Sequence, residues 1–152
     1  MSKYAGVIVR ANNKCMLCKR APYHSFLPNV WSFPSGHVEE GEEDIEAAKR
    51  EFFEETGLRA KNLKYVSKME SRNGKGDVAI YLMDIDEQIV PDLDLAQDGY
   101  EHTACKYFSK KTLPELSPEL EKILDILLKW FDFFKNKLYL FITIPKRFLK
   151  KV

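Results

Sequence analysis

The chain has 152 residues, of which 45% are hydrophobic and 31% charged, with only seven Gly and seven Pro. That is enough for one domain with a real core, and it excludes the fibrous and intrinsically disordered classes. Twenty-four Lys and Arg against twenty-three Asp and Glu give a formal charge of +1, so bulk charge carries no strong nucleic-acid signal. Three cysteines are too few and too odd a count for a disulfide scaffold. The first residues lack the apolar run of a secretory signal, and no stretch approaches the roughly 20 apolar residues of a membrane span. The expectation is a soluble, cytoplasmic protein whose cysteines are buried thiols.

Tyr4 to Arg10 is an apolar run that predicts a buried strand, and Asn12-Asn13 is a turn signal that returns the chain through Cys15 to Cys18 as a hairpin. Arg20 to Pro28 reads as a loop. Val30 to Phe33 predicts a short strand, closed by a Pro34-Ser35-Gly36 turn. From Glu43 to Thr56 the apolar residues Ile45, Ala48 and Phe52 recur at helical spacing behind an acidic first turn, and Gly57 stands where a helix-capping glycine belongs. Leu63 to Met69 and Asp77 to Ile85 predict two strands around Asn73-Gly74-Lys75-Gly76, and His102 to Phe108 a last one. Ser117-Pro118 opens a second helix, with Ser as N-cap, Pro at the first helical position and apolar residues at helical spacing through about Lys135. Strands mixed with two well-marked helices predict an α/β (α+β) domain in which a mixed sheet is covered on both faces.

The segment Gly36 to Leu58, GHVEEGEEDIEAAKREFFEETGL, holds nine acidic residues and two basic ones. Glu51, Glu54 and Glu55 stand at i, i+3 and i+4, so three carboxylates share one face of the last two turns, with the small Ala47 one turn earlier. Carboxylates held together repel. Either the segment is a solvated acidic helix end, or a hard divalent cation such as Mg2+ or Mn2+ offsets the repulsion, since those ions prefer oxygen donors and bridge to phosphates. Arg50, beside the cluster, has the fork geometry to orient a carboxylate through a bidentate pair.

The whole spacing separates these readings. Gly36, five residues, Glu42, seven residues, Arg50-Glu51, an apolar residue, any residue, Glu54-Glu55, any residue, Gly57 and an apolar residue: this pattern resembles the Nudix box at all 23 positions. Two departures stand out: Phe52 where the family has an aliphatic residue, and Ser35 where many members have a first Gly. The resemblance implies the MutT-like Nudix fold, a mixed β-sheet sandwiched between helices, over residues 1–135. It also implies a pyrophosphohydrolase that cleaves a nucleoside diphosphate linked to another group by attack of water on phosphorus. Its cofactor would be Mg2+ or Mn2+, held by Glu51, Glu54, Glu55 and the Ser35 carbonyl. Arg50 would hold the glutamates, Glu42 would back them, Glu54 and Glu55 would act in catalysis, and Gly36 would permit the tight loop next to substrate. The competing class is a non-catalytic Nudix-like nucleotide-binding module. Such a module is expected to have lost one of the three glutamates, and none is lost here.

Glu101, just before the last predicted strand, is the candidate for a further metal ligand or the general base; the lone His102 beside it reads as exposed. Arg20, Tyr23, His24 and Phe26 precede the box and by analogy lie near the substrate mouth, unless they form a plain surface loop. Arg20 and His37 are candidate substrate contacts, Arg20 toward phosphate, and an aromatic there could stack on a base. The region of residues 73–75 lacks the Pro of ADP-ribose-hydrolysing members and the Tyr of diadenosine polyphosphate members. The substrate therefore stays open among nucleoside triphosphates, dinucleoside polyphosphates, ADP-ribose-like compounds and nucleotide sugars. Cys15 and Cys18, three apart in a strand, point to opposite faces, which is poor geometry for zinc.

Lys129 to Val152 carries seven Lys and Arg against one Asp, interleaved with seven aromatics. This excess of six positive charges leaves residues 1–128 with five excess negative ones, so near-neutrality is the sum of two opposed regions. Residues 136–152 form a basic-aromatic extension with two readings: a segment that packs on the domain or at a homodimer contact, or an arm that docks on an anionic membrane surface or a protein. Truncation after Lys135 distinguishes them. Loss of binding to anionic liposomes supports the membrane arm, and no binding by either form disposes of it.

Overall fold

A computed structural model describes residues 2–25, 27–71 and 74–128 of the chain. Seven strands form one mixed sheet: β1 (Tyr4–Ala11), β2 (Lys14–Arg20), β3 (Trp31–Ser32), β4 (Ser35–His37), β5 (Lys64–Glu70), β6 (Asp77–Ile85) and β7 (His102–Phe108). The main path runs β3-β2-β1-β6-β5, while β4 pairs with β1 and β7 with β2. Only β1 and β6 run parallel, in an unbroken register from Tyr4↔Val78 to Ala11↔Ile85. The hairpin between β1 and β2 turns on Asn12 and Asn13 with φ of 50° and 58°, the pair of left-handed residues that a two-residue turn matched to strand twist requires.

The central strands are buried on both faces, which is why they read as continuous apolar runs. Alternation then sorts their side chains. Val7, Val9, Met16, Cys18, Ala79, Tyr81 and Met83 face α1 (Asp44–Thr56), where they pack with Ala47, Ala48 and Phe52. Ile8, Cys15, Leu17, Val78, Ile80 and Leu82 face the second helix, α2, whose described part is residues 118–128, and meet Leu120, Leu124, Leu127 and Leu128. Helices therefore cover both faces, as the sequence predicts. The Leu120 N–H bonds the Ser117 hydroxyl at 3.3 Å, so Ser117 is the N-cap of α2. Arg10 pins α2 to the sheet: it grips Asp84 of the neighbouring strand at 2.6 and 3.0 Å and donates to the Leu127 carbonyl at 2.6 Å.

Helix α1 begins one residue later than its predicted start, with Glu43 as N-cap and Asp44 and Glu46 in the first turn. It ends on Gly57, whose φ of 70° suits glycine and whose N–H closes the last turn on the Phe53 carbonyl. Ala47 is fully buried in the core under α1 and presents no open face to a ligand. Two backbone bonds fix the helix ends: the Ser2 N–H bonds the Asp44 carboxylate, and the Asp98 N–H bonds the Glu54 carbonyl at 2.8 Å. The second bond docks the approach to β7 against the C-terminal end of α1.

Two expectations are corrected. Pro34-Ser35-Gly36 does not close a turn; Ser35–His37 is strand β4, because pairing with Tyr4, Ala5 and Gly6 of β1 overrides the local turn preference. Cys18 and Cys105 are not thiols but a disulfide, formed where they stand opposite each other in the β2–β7 ladder. Cys15, on the opposite face as expected, is the buried free thiol. Phe26, the predicted helix end near Lys135, the Asn73 turn position and the basic extension lie outside the described residues.

Burial pushes the Cys15 thiol up to about 12, so its reactive thiolate is scarce at neutral pH. A thiol-reactive maleimide is expected to label none of the three cysteines in the native protein, one after denaturation alone, and three after denaturation with reduction. Three labels after denaturation without reduction would contradict the disulfide.

Candidate active site

The site begins where β4 hands the chain to α1. Gly36 lies against the end of Glu51: a Cβ added there would stand 2.1 Å from the carboxylate. Glycine therefore lets the carboxylate reach the β4 backbone, and any side chain would displace it. From α1, Arg50 makes five hydrogen bonds. Its Nε and Nη2 hold the two oxygens of Glu42 at 3.0 and 2.9 Å, and Nη2 also donates to the His37 carbonyl at 2.9 Å. Its Nη1 reaches Glu51 at 2.7 Å and Glu54 at 3.2 Å. One guanidinium thus ties the loop before α1 to two carboxylates of its C-terminal half. The same hydrogen bonds hold Glu42 below the usual carboxylate range and Arg50 above its ordinary value.

Glu51 and Glu55 point the other way electrostatically. Burial raises Glu51, against the pull of Arg50, and the charges of Glu54 and Glu101 raise it further. Glu55 is only 5% exposed and is raised well above its ordinary value by burial, then by the charges of Glu101 and Glu51; Arg20 and a backbone hydrogen bond from Ser35 oppose this. His102, expected to be exposed, is buried instead, with Nε2 at 3.6 Å from Glu55. Burial, then the charges of Arg20 and His24, push its ring down to about 4. The imidazole is therefore neutral at neutral pH, and its contact with Glu55 is not an ion pair.

These elements meet at a cavity of about 390 Å3. Arg20, Ser35, Gly36, His37, Glu51, Glu55 and Glu101 all line it, so seven of the ten predicted site residues face one cavity. Glu42, Arg50 and Glu54 are not among its lining; the guanidinium bonds tie them to Glu51, which is. The His37 ring lies 4.4 Å from the Tyr4 ring at the cavity edge. Sequence reasoning placed His24 near the substrate mouth without giving it a role, and it misplaced His102; His24 lies between Arg20 and Glu101. A lone histidine in a loop carries no periodicity from which its burial can be read.

The donor set suits a hard divalent cation in chemistry: carboxylate and carbonyl oxygens, with the charge of Glu101 raising the proton affinity of Glu51 and Glu55, and that of Glu51 raising Glu55, around one cavity. It is not a finished cage. Among the described residues no three of His, Cys, Asp and Glu are grouped so that they hold a metal ion as they stand, and Glu54 is engaged by Arg50 at 3.2 Å. No helix among the described residues is long and apolar enough to cross a membrane.

Comparison with known proteins agrees with this fold. The NUDIX domain model matches residues 2–131. The chain is similar to the ADP-ribose pyrophosphatase of Methanocaldococcus jannaschii, 32% identical over 127 residues that cover 81% of this chain and 70% of that protein. It is similar over 61 residues to the m7GpppN-mRNA hydrolase NUDT17 of Xenopus laevis, with 43% identity; the match covers 40% of this chain and 21% of that much longer protein. In fold it is similar to a MutT NUDIX hydrolase from Burkholderia pseudomallei, with a TM-score of 0.66 and 21% identity over 80% of this chain and 94% of that one. A family match over most of the chain, on a sheet and helix arranged as described, makes this protein a member of the Nudix hydrolase family.

Proposed function

We propose that the protein is a divalent-metal-dependent pyrophosphohydrolase acting on a nucleoside diphosphate linked to another group. The observation that carries this reading is the convergence of Glu51, Glu55 and Glu101 on one cavity that also holds Arg20. The excess of negative charge there calls for a cation, and Arg20 offers a contact for phosphate. Nudix enzymes in general use divalent metal ions and act on nucleotides. Glu51, Glu54 and Glu55, with the Ser35 carbonyl, would hold Mg2+ or Mn2+, which neutralises phosphate charge and acidifies water.

In the reaction so proposed, Arg20 positions phosphate oxygens by charge-assisted hydrogen bonds. Gly36 and the His37 backbone line the approach, leaving room for the pyrophosphate beside Glu51. Glu101 accepts a proton from the water that attacks phosphorus; the P–O bond to the leaving phosphate breaks, and that phosphate carries away the bonding pair. Arg50 keeps Glu51 and Glu54 from repelling each other out of place, and Glu42 anchors Arg50 in turn. Neutral His102 backs Glu55 without adding charge. Positioning and electrostatics carry most of such a reaction. The soluble cytoplasmic setting expected from the sequence suits nucleotide substrates.

A panel of ADP-ribose, nucleoside triphosphates, diadenosine tetraphosphate and 5′-triphosphorylated RNA, each with Mg2+ or Mn2+, tests the reading. At least one is expected to be cleaved to products containing a nucleoside monophosphate or diphosphate, with loss of activity in EDTA. Hydrolysis of none would overturn the proposal. Glu54→Gln and Glu55→Gln are each expected to lower kcat by about 10²-fold or more with the fold intact by circular dichroism; activity near wild type in both would remove the metal assignment. Gly36→Ala displaces the flexible end of Glu51 rather than the backbone. It is expected to lower kcat by roughly 10²-fold, the effect of misplacing a group by about 1 Å, while moving the melting temperature by no more than about 4 °C.

A further inference from the structure

Arg20 closes β2, and Glu101 stands one residue before β7, where the ladder sets Arg20 opposite His102. Two opposite charges therefore line the same cavity, yet among the described residues no ion pair joins them directly. His24 stands between them. Nη2 of Arg20 faces the edge of its ring, 2.9 Å from Nδ1 and 2.7 Å from Nε2, while Nε2 lies 3.4 Å from Oε2 of Glu101. The imidazole thus occupies the place between the guanidinium and the carboxylate, with Nε2 within 3.4 Å of a charged partner on either side.

The backbone builds this arrangement. The Ala21 N–H donates to the Glu101 carbonyl at 2.8 Å, tying the loop to the approach of β7. The His24 N–H donates to the Ala21 carbonyl at 3.1 Å, which turns the loop so that the imidazole returns between the two charges. Arg20 itself is fixed at both ends of its peptide, donating to Val30 at 2.9 Å and accepting from Asn29 at 3.1 Å. Its Nε is buried and without a hydrogen-bond partner. A guanidinium free to close on a neighbouring carboxylate would have used that donor.

We infer that His24 is a positioning residue of the hydrolase, a spacer that holds Arg20 and Glu101 apart while orienting both. The inference rests on the proposed roles of Arg20 as phosphate contact and Glu101 as proton acceptor. A direct bidentate pair between the two would be favourable and would occupy both carboxylate oxygens and two guanidinium donors. It would leave Glu101 a poor proton acceptor and Arg20 a poor phosphate donor. With the imidazole between them, one oxygen of Glu101 lies 3.4 Å from the ring and the carboxylate is not drawn into a bidentate pair with Arg20. Arg20 in turn keeps donors for the substrate.

The test uses the full chain as wild type, His24→Ala, His24→Gln, Glu101→Gln and the His24→Ala/Glu101→Gln double variant, assayed with Mg2+ on the panel compounds above. Glutamine carries an acceptor and a donor on one side chain, so it restores the spacer where alanine cannot. His24→Ala is expected to lower kcat by roughly 10- to 100-fold, with a smaller change in KM, and His24→Gln to recover most of the loss. The double variant is expected to be no slower than Glu101→Gln alone, because both changes disable one unit. Independently of activity, the 15N NMR signals of the Arg20 guanidinium are expected to shift in His24→Ala and to return toward their wild-type positions in His24→Gln. Equal losses in the alanine and glutamine variants, losses that multiply in the double variant, or Arg20 signals unmoved in His24→Ala would each overturn the inference. Glu101→Gln at wild-type rate, or a wild type inactive on every compound, would instead refute the underlying functional reading, and the Arg20 signals still decide whether His24 positions Arg20.

Discussion

The Arg50 guanidinium binds Glu42, Glu51, Glu54 and the His37 carbonyl at once, and the site depends on that set of bonds. Hydrogen bonds between charged partners contribute about 1.5–3 kcal/mol each. Here they also offset a cost, since three acidic side chains in the last two turns of one helix would otherwise repel. The loop from His37 to Glu42 is fixed by the same cation, so the helix, the carboxylates and the glycine-lined approach form one rigid unit. Lysine would not substitute, because a point charge on a flexible stem lacks the planar fork that reaches four partners.

The sheet brings the rest of the site to this unit. Strand β1 sits at its centre, pairing with β2, β4 and β6, so β4 delivers Ser35 and Gly36 next to α1. On the other side, β2 and β7 run as an antiparallel pair that ends on Arg20 and His102. The disulfide between Cys18 and Cys105 crosslinks that pair close behind these residues. Helix α1 covers the face that carries the carboxylates, and α2 seals the opposite face, held by Arg10 through the Leu127 carbonyl. The cavity is thus the place where three strand ends and a helix end converge, and the acidic wall of α1 meets Arg20 across it.

The sequence made much of this legible, and the reasons are local. Helix α1 announces itself through apolar periodicity, an acidic first turn and Gly57. The central strands show as apolar runs because both of their faces are buried. The spacing from Gly36 to Leu58 located the carboxylates and the arginine that holds them. What stayed hidden was long-range. Strand β4 was masked by turn-forming residues whose strand pairing with Tyr4–Gly6 only the fold supplies. Cys18 and Cys105 are 87 residues apart in sequence, so no count of cysteines discloses that they stand opposite. His24 and His102 gain their places from the β2–β7 ladder and the loops leading to it, which no single-residue signal encodes.

The claim on which the account turns is that the carboxylates gathered by Arg50 and Gly36 bind a divalent cation. Titrating Mn2+ into the full-length protein and following free Mn2+ by electron paramagnetic resonance measures that binding without any substrate. The account predicts saturable binding by the wild type that is lost in the Glu51→Gln/Glu55→Gln double variant, with the fold retained. Equal binding by the two proteins, or no saturable binding by the wild type, would contradict it.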